Sequence, residues 1–358
     1  MQKDRCNLIV ANWIFIGVAM LIIQVLLGGI TRLTGSGLSI TEWRPIMGAL
    51  PPMNESEWQI AFNRYQQIAQ YKYLNQHYTL SNFKFIFFWE WFHRVWARLI
   101  GVVFLIPFIY FLVKGHFKKG MIIPLVILFL LGALQGAIGW LMVQSGLNDN
   151  DLYVSHIRLA WHFMAAMVLI GYALIFGLRL TINERSRINN KKHFHIAILI
   201  TTLVVIQLVY GAFMAGLKAA TAAPTWPDIN GTFVPDEISR GSLFHNIFYD
   251  KITIHFIHRT LAYIIALCIL TWWFSLRHIN YSPAFNKVKN FTVINVVIQV
   301  VLGILTVLNS TATTSQGNFG AFEWFAQLHQ LLGMLLLLNM VAALYMLHGK
   351  AVVSDKFA

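Results

Sequence analysis

Long apolar runs separated by short polar segments dominate this chain. A helix that crosses a membrane needs about 20 consecutive, mostly apolar residues. Eight runs meet that length, and they predict helices at 8–30, 84–113, 121–143, 157–179, 194–216, 253–275, 290–309 and 324–347. The first run is too long for the core of a signal peptide, so we expect it to remain as a helix. The pattern predicts an all-α integral membrane protein with eight transmembrane helices.

Positively charged residues are concentrated in the loops after the second, fourth and sixth runs. They are Lys114, Lys118, Lys119, Arg185, Arg187, Lys191, Lys192, Arg277, Lys287 and Lys289. The positive-inside rule places these loops and both termini in the cytoplasm, and the long loops after the first and fifth runs outside. The short N-terminal segment favours a multi-pass protein of the bacterial inner (cytoplasmic) membrane.

Composition excludes an ordinary soluble domain. The chain is 57% hydrophobic and 11% charged, whereas soluble proteins carry about a quarter charged residues. The net charge of +13 is spread over loops between apolar runs, which is typical of membrane topology and not of a phosphate-binding face. We therefore expect membrane lipid as a partner and no nucleic acid. The two cysteines, Cys6 and Cys268, lie far apart in the chain and indicate no disulfide framework.

Four groups of residues recur between the two halves of the chain, in the same order and at offsets of 164 to 183 residues. The matches are Trp43, Ile46, Gly48 and Pro52 with Trp226, Ile229, Gly231 and Pro235; His93, Arg94 and Ala97 with His258, Arg259 and Ala262; Gln135 and Gly139 with Gln299 and Gly303; and His162 and Met167 with His329 and Met334. The repeat predicts two tandem four-helix bundles, residues 1–182 and 183–358, related by a pseudo-two-fold axis along the membrane normal.

The repeat places one histidine on each even-numbered helix, within its first two or three turns. These residues are His93, His162, His258 and His329. Paired histidines inside a helical bundle are a common way to hold haem iron. A small residue follows each histidine one turn later, which leaves room for a flat ligand: Ala97, Ala166, Ala262 and Gly333. Close helix packing is the competing explanation of the small residues. Zinc is disfavoured because the chain has no His-Glu-x-x-His motif and no cysteine pair.

One carboxylate distinguishes the two halves. Glu90 lies three residues before His93, and the matching position before His258 holds His255. Residues three apart share one helical face, so Glu90 and His93 point the same way. An ionisable residue inside a membrane is costly and marks a functional site by default. We therefore predict chemistry in the first half, with Glu90 as its catalytic residue.

Basic residues on the outer side run against the positive-inside trend. Arg32, Arg94 and Arg259 are the candidates to bind haem propionates, because arginine pairs well with carboxylates. Snorkelling of arginine to lipid headgroups is the competing explanation.

These residues resemble those of the haem A synthase family, over nearly the whole chain. The motifs that carry the resemblance are 28–39 (GGITRLTGSGLS), 90–94 (EWFHR), 139–147 (GWLMVQSGL), 158–162 (RLAWH), 225–227 (TWP) and 258–259 (HR). The resemblance implies eight helices, iron ligands at His93, His162, His258 and His329, and an acidic residue at Glu90. Some family members carry a cysteine pair in an outer loop, which this chain lacks.

The resemblance also implies an activity, the oxidation of a ring methyl of haem O to a formyl group, giving haem A. The first half would receive haem O through His93 and His162, and the second half would keep haem b as a cofactor through His258 and His329. Candidate partners are a ferredoxin-like or other electron donor, haem O synthase and a second copy of the chain.

Three other functions compete with this activity as explanations of the sequence. A di-haem cytochrome b subunit that only passes electrons shares every histidine but leaves Glu90 without a role. A transporter with a parallel repeat would have interrupted helices and no haem. The prenyl transfer that makes haem O wants two aspartate clusters, and the chain has one, at 148–151.

Overall fold

The computed structural model describes residues 2–42, 47–277, 282–312 and 319–349. Two residues of the predicted repeat, Trp43 and Ile46, lie outside these ranges. Within them the chain forms ten α-helices: α1 (Gln2–Leu33), α2 (Glu55–Tyr65), α3 (Leu80–Val113), α4 (Ile122–Gln144), α5 (His156–Thr181), α6 (Lys191–Gly216), α7 (Leu243–Tyr249), α8 (Lys251–Leu276), α9 (Pro283–Leu308) and α10 (Ala321–Leu347).

Eight of these helices, all except α2 and α7, are long and apolar enough to cross a membrane. The prediction of an all-α, eight-span membrane protein is therefore confirmed. The short helices α2 and α7 lie in the long loops after α1 and α6. The pseudo-two-fold axis and the cytoplasmic position of the termini stay predictions.

Most of the spanning helices start earlier than the apolar runs predict, because a polar residue caps them. The side chains of Thr79, Ser155, Asn190, Asp250 and Ser282 each accept a hydrogen bond from a backbone N–H in the first turn. The largest difference is in α9, which begins at Pro283 and not at 290. The predicted position within two or three turns of the helix start is wrong for His93. Since Thr79 and Asn82 form a capping box that starts α3 at Leu80, His93 lies about four turns into its helix.

The helices α1, α5, α6 and α10 form the centre of the molecule. Each packs against at least two of the others, while α3, α4, α8 and α9 pack on the outside of α1, α5, α6 and α10 respectively. Half of the residues in the membrane-spanning stretch of α10 are buried inside the protein, compared with 6% of those in α3. One hydrophobic core runs through both halves of the chain. The bounds 1–182 and 183–358 therefore remain predictions, and the central helices join the two parts.

The outer helices pack differently in the two halves. In the second half, α8 and α9 contact each other along part of their length, whereas α3 and α4 touch at few positions. Most side chains in the spans of α3 and α4 are not covered by other parts of the chain. The outer helices of the first half are therefore packed more loosely than those of the second half.

Candidate functional site

The four predicted histidines border one cavity. His93 on α3, His162 on α5, His258 on α8 and His329 on α10 all line a space of about 1200 Å³ between the helices. This volume lies above the roughly 300–1,000 Å³ of sites for drug-sized ligands. The cavity crosses from the first half to the second, so the two histidine pairs share one continuous space.

Each histidine ring rests against a glycine on the neighbouring helix. The pairs are His93 with Gly28, His162 with Gly139, His258 with Gly211, and His329 with Gly303. A Cβ atom at any of these glycines would lie 2.7 to 3.3 Å from the imidazole Cε1. The glycines thus provide the space in which the rings are held between helices.

A glutamine precedes each of these glycines by one turn. The residues are Gln24, Gln135, Gln207 and Gln299. The internal repeat in the sequence identifies this Gln-x-x-x-Gly pattern on α4 and α9. It does not identify the same pattern at Gln24 on α1 and Gln207 on α6. The sequence contains the information to find them, because the same five-residue Gln-x-x-x-Gly motif recurs on all four helices.

The glutamines fix the orientation of the histidines. The amide nitrogens of Gln24, Gln135 and Gln207 donate to the backbone carbonyls of His93, His162 and His258 at 3.2, 2.9 and 3.0 Å, and each lies within 3.4 Å of a ring nitrogen. The fourth glutamine, Gln299, contacts its histidine in a different way.

His329 Nδ1 donates to the backbone carbonyl of Gln299 at 3.0 Å. A carbonyl at Nδ1 leaves Nε2 as the free nitrogen, which is the usual arrangement of a metal-binding histidine. The amide oxygens of all four glutamines are buried and find no hydrogen-bond partner within the described ranges.

The two histidines of the second half have the separation that a shared metal ion requires. The ring centres of His258 and His329 lie 6.2 Å apart, with the rings inclined by 73°. Two imidazoles bound to opposite sides of one ion, each through a bond of roughly 2 Å, place their centres roughly 6 Å apart. In the first half, His93 and His162 line the same cavity.

The donor set fits haem better than a bare metal ion. Among the described residues, no group of three or more His, Cys, Asp or Glu side chains converges to hold a metal. Two histidines suffice for haem iron, because the porphyrin supplies the remaining ligands. The small residues one turn after the histidines also border the cavity, as a flat ligand requires: Ala97, Ala166, Ala262 and Gly333.

Glu90 lies at the edge of the cavity with its carboxylate almost fully engaged. Only 3% of the residue is exposed. Its Oε2 accepts from Ser39 Oγ at 2.7 Å and from the Ile40 N–H at 2.8 Å, and its Oε1 accepts from Arg94 at 2.6 Å. The carboxylate thereby connects α3 to the loop after α1, and Oε1 keeps one free acceptor position.

The arginines beside the histidines hold the loops after α1 and α6. Arg94 donates to the backbone carbonyls of Ile40 and Glu42. Its match in the second half, Arg259, donates to those of Ala223 and Asp228 at 2.9 and 2.7 Å. These two propionate candidates line the cavity, but much of their hydrogen-bonding capacity is used by the loops.

The loop that Arg259 holds is a tight turn in the TWP motif. The Gly231 N–H donates to the Asp228 carboxylate at 2.9 Å. This contact holds the pKa of that exposed carboxyl below its ordinary value. Thr225 adds a hydroxyl bond to the Asp228 backbone carbonyl at 3.1 Å. These two hydrogen bonds therefore stabilise the turn independently of Arg259.

Arg32, the third propionate candidate, also borders the cavity. Its Nε is buried and has no hydrogen-bond partner in the part of the chain that the structure describes. A buried guanidinium nitrogen without a partner is unfavourable, so an anion in the cavity would complete it. Lys218 also lines the cavity, and its ammonium lies 3.9 Å from the ring centre of Tyr153.

Two histidines that the sequence left without a role differ sharply. His156 Nε2 donates to the backbone carbonyl of Phe248 at 2.8 Å and so connects α5 to α7. His255 is fully buried, lines the cavity, and has no partner for either ring nitrogen among the described residues.

Four glycines of the first half line the cavity at positions with free space around them. A Cβ atom at Gly17, Gly101, Gly132 or Gly136 would meet nothing within 4 Å, and all four border the cavity. At the offsets of the predicted repeat, the second half carries Ile200, Ala266, Val296 and Val300 at these positions. The side chains at these matched positions are therefore smaller in the first half.

Comparison with known proteins agrees with the resemblance found in the sequence. A family model described as cytochrome oxidase assembly protein matches residues 11–341. A protein named heme A synthase from Parvibaculum lavamentivorans is 40% identical over 309 residues, covering 86% of this chain and 88% of that relative.

Two further relatives carry the same name. The one from Flavobacterium johnsoniae is 38% identical over 315 residues, covering 87% of this chain and 92% of its own length. The one from Novosphingobium aromaticivorans is 38% identical over 339 residues and covers 92% of both chains. These names give no support to the electron-transfer subunit that the histidines alone left open. The chain belongs to the COX15-CtaA family of cytochrome oxidase assembly proteins.

Proposed function

We propose that this protein is a haem A synthase, which oxidises a ring methyl of haem O to a formyl group and so produces haem A. The single observation that carries the proposal is the asymmetry of the cavity. Two histidine pairs line it, and among the described residues only the first has a buried carboxylate, Glu90, one turn from a histidine. The other acid on the cavity wall, Glu323, is partly exposed and lies six residues before His329. A protein that only relays electrons has no need of this difference.

His93 and His162 would hold the iron of haem O, and His258 and His329 would hold haem b. Haem O carries a long prenyl chain that haem b lacks, so the substrate needs the larger space. The glycines at 17, 101, 132 and 136 leave that space in the first half. The loose contact between α3 and α4 suits a ligand that enters from the membrane and leaves again, whereas the closer packing of the second half suits a resident cofactor.

Haem iron supplies the redox chemistry, and this chain supplies placement and charge. Two successive hydroxylations of the methyl carbon give a geminal diol, which loses water to form the aldehyde. Glu90 acts beside the methyl group as a fixed negative charge. Three donors hold its carboxylate in place, which favours electrostatic stabilisation over proton abstraction. Arg32, Arg94 and Arg259 border the cavity and would bind propionates, and the unpartnered Nε of Arg32 supports that role.

The remaining partners are part of the same proposal. A ferredoxin-like or other electron donor would serve the second half, haem O synthase would deliver the substrate, and the protein could act as a homo-oligomer in the bacterial inner membrane with both termini in the cytoplasm. Membranes containing this chain should convert added haem O to haem A, as measured by extraction and chromatography of the haems. If haem O were returned unchanged while both haem sites were filled, the electron-transfer alternative would replace the proposal.

Glu90→Gln tests the role of the carboxylate. Glutamine keeps the size of the side chain and loses its charge, so we expect the rate of haem O conversion to fall about 100-fold or more, as for other electrostatic groups in buried sites. Glu57→Gln, an exposed change in α2, is the control. A normal rate in Glu90→Gln, with the haem b spectrum intact, would remove Glu90 from the chemistry.

A further inference from the structure

His255 is a buried polar residue that the mechanism above does not use. It lies three residues before His258 on α8, at the position that Glu90 takes relative to His93. The residue is 0% exposed and borders the cavity. Neither of its ring nitrogens has a hydrogen-bond partner in the described ranges.

The second half offers His255 none of the contacts that Glu90 receives in the first. Glu90 accepts from the Ser39 hydroxyl and the Ile40 N–H, and the positions that match these at the repeat offset of 183 are Ala222 and Ala223. The guanidinium of Arg259 is directed to two backbone carbonyls. The Ala220 backbone carbonyl lies close to the ring, but neither ring nitrogen makes a hydrogen bond of regular geometry, and that carbonyl already accepts from the Ser310 hydroxyl.

Leaving a buried imidazole without a hydrogen-bond partner costs free energy. Buried polar groups in folded proteins nearly always have a partner, whether protein, water or ligand. Since His255 borders the cavity one turn from His258, a group placed in that cavity beside the His258–His329 pair can supply the missing partner. A neutral imidazole carries one N–H donor, which suits an acceptor such as a carboxylate.

We propose that His255 donates a hydrogen bond to a propionate carboxylate of the haem held by His258 and His329. The inference rests on the proposed function, which places haem b there. His255 is then a positioning residue, which retains and orients the cofactor of the second half. It takes over part of the role that the sequence gave to Arg259, whose donors are occupied by the loop.

The test measures how fast the purified full-length protein loses haem b to an excess of a haem-scavenging apo-globin, followed by visible absorbance. His255→Phe removes the donor, and we expect haem loss about 10-fold faster, the lower end for lost outer contacts of a metal site. His255→Gln keeps an N–H donor and should stay close to the wild-type rate. His245→Gln, an exposed histidine in α7, is the control. If the phenylalanine variant fails to fold, His255→Leu replaces it.

A second readout identifies the group to which His255 donates. Wild-type protein should retain haem b better than its dimethyl ester, in which both carboxylates are blocked, and this preference should be about 10-fold smaller in His255→Phe. A preference as large in His255→Phe as in the wild type would overturn the proposal. A purely structural role is separated by the thermal unfolding of the haem-free protein. Phenylalanine should not lower its midpoint, because the imidazole has no protein partner to lose.

Failure of this inference can be told from failure of the proposed function. If His258→Ala keeps its full haem content, haem b is not held in the second half and the proposed function itself is wrong. If His258→Ala loses the haem while His255→Phe releases it at the wild-type rate, the cofactor assignment stands and His255 has no part in retaining it.

Discussion

Two glycines one turn apart on α4 illustrate how specific the contacts around the histidines are. A Cβ atom at Gly139 would lie 2.7 Å from His162 Cε1, whereas one at Gly136 would meet nothing within 4 Å. Both are helical glycines, so alanine should favour the helix equally at either position. Any difference between the two substitutions therefore reports on the ring of His162 and not on the helix.

Gly139→Ala should displace His162 and lower haem O conversion about 100-fold, the cost typical of moving a reacting group by roughly 1 Å. Gly136→Ala adds one methyl group to the cavity wall without meeting His162, so it should lower conversion far less. The measurement is the initial rate of haem A formation in membranes with matched amounts of protein. Equal rates in the two variants would mean that the close contact between the His162 ring and Gly139 does not matter to the chemistry.

The residue scale also shows what sequence reasoning could reach. The four histidines and Glu90 were predictable, because ionisable residues are rare in apolar helices. The partners of Glu90 were not, since Ser39 and Ile40 come from a loop about 50 positions away in the chain and only the folded chain brings them together. Gln24 and Gln207 fall between these cases, because their spacing to glycine was visible but meant little until the histidines were seen against it.

At the scale of single elements, apolar length predicted the eight helices well and their ends poorly. The ends depend on capping residues such as Thr79 and Ser282, which lie outside the apolar runs. The packing of α3 against α4 and of α8 against α9 was out of reach of pattern arguments, because both pairs look alike in hydrophobicity. What distinguishes them is the side-chain volume at a few positions facing the cavity.

The double change Gly17→Ile with Gly132→Val gives the first half the side chains of the second. We expect it to lower haem O conversion about 10- to 200-fold, the range for filling an apolar pocket that a substrate group needs. The haem b content should not change, since neither residue lies in the second half. Gly171→Ala is the control, because its Cβ position is open but it does not line the cavity. Loss of haem b in the double variant would contradict the division between the halves.

At the scale of the whole molecule, the two halves are joined by close contacts and not by a linker alone. Gln327 and Gln330 on α10 donate to the backbone carbonyls of Leu26 and Val25 on α1 at 3.0 and 3.2 Å. At the other boundary, α5 and α6 approach so closely that a Cβ at Gly216 would lie 2.8 Å from the backbone Cα of His156. These contacts hold the two histidine pairs at one fixed separation.

Gly216→Ala should force α5 and α6 apart, because the atom it meets belongs to the backbone and cannot rotate away. Overpacking of this kind costs about 1–3 kcal/mol, and it should lower the thermal unfolding midpoint of the purified protein. Gly171→Ala again provides the comparison, since its Cβ meets nothing within 4 Å. An unchanged midpoint for Gly216→Ala would show that the boundary between α5 and α6 yields easily.

The sparse contact between α3 and α4 bears on how the protein is handled once it leaves its membrane. Alkyl chains of a detergent have the same apolar character as a prenyl chain, and the glycine-lined space behind these helices can accept either. Solubilisation can thus introduce a competitor for the first half while the haem b proposed for the second half stays bound. A preparation that is fully coloured need not be active, and lipid nanodiscs are the better setting for turnover measurements.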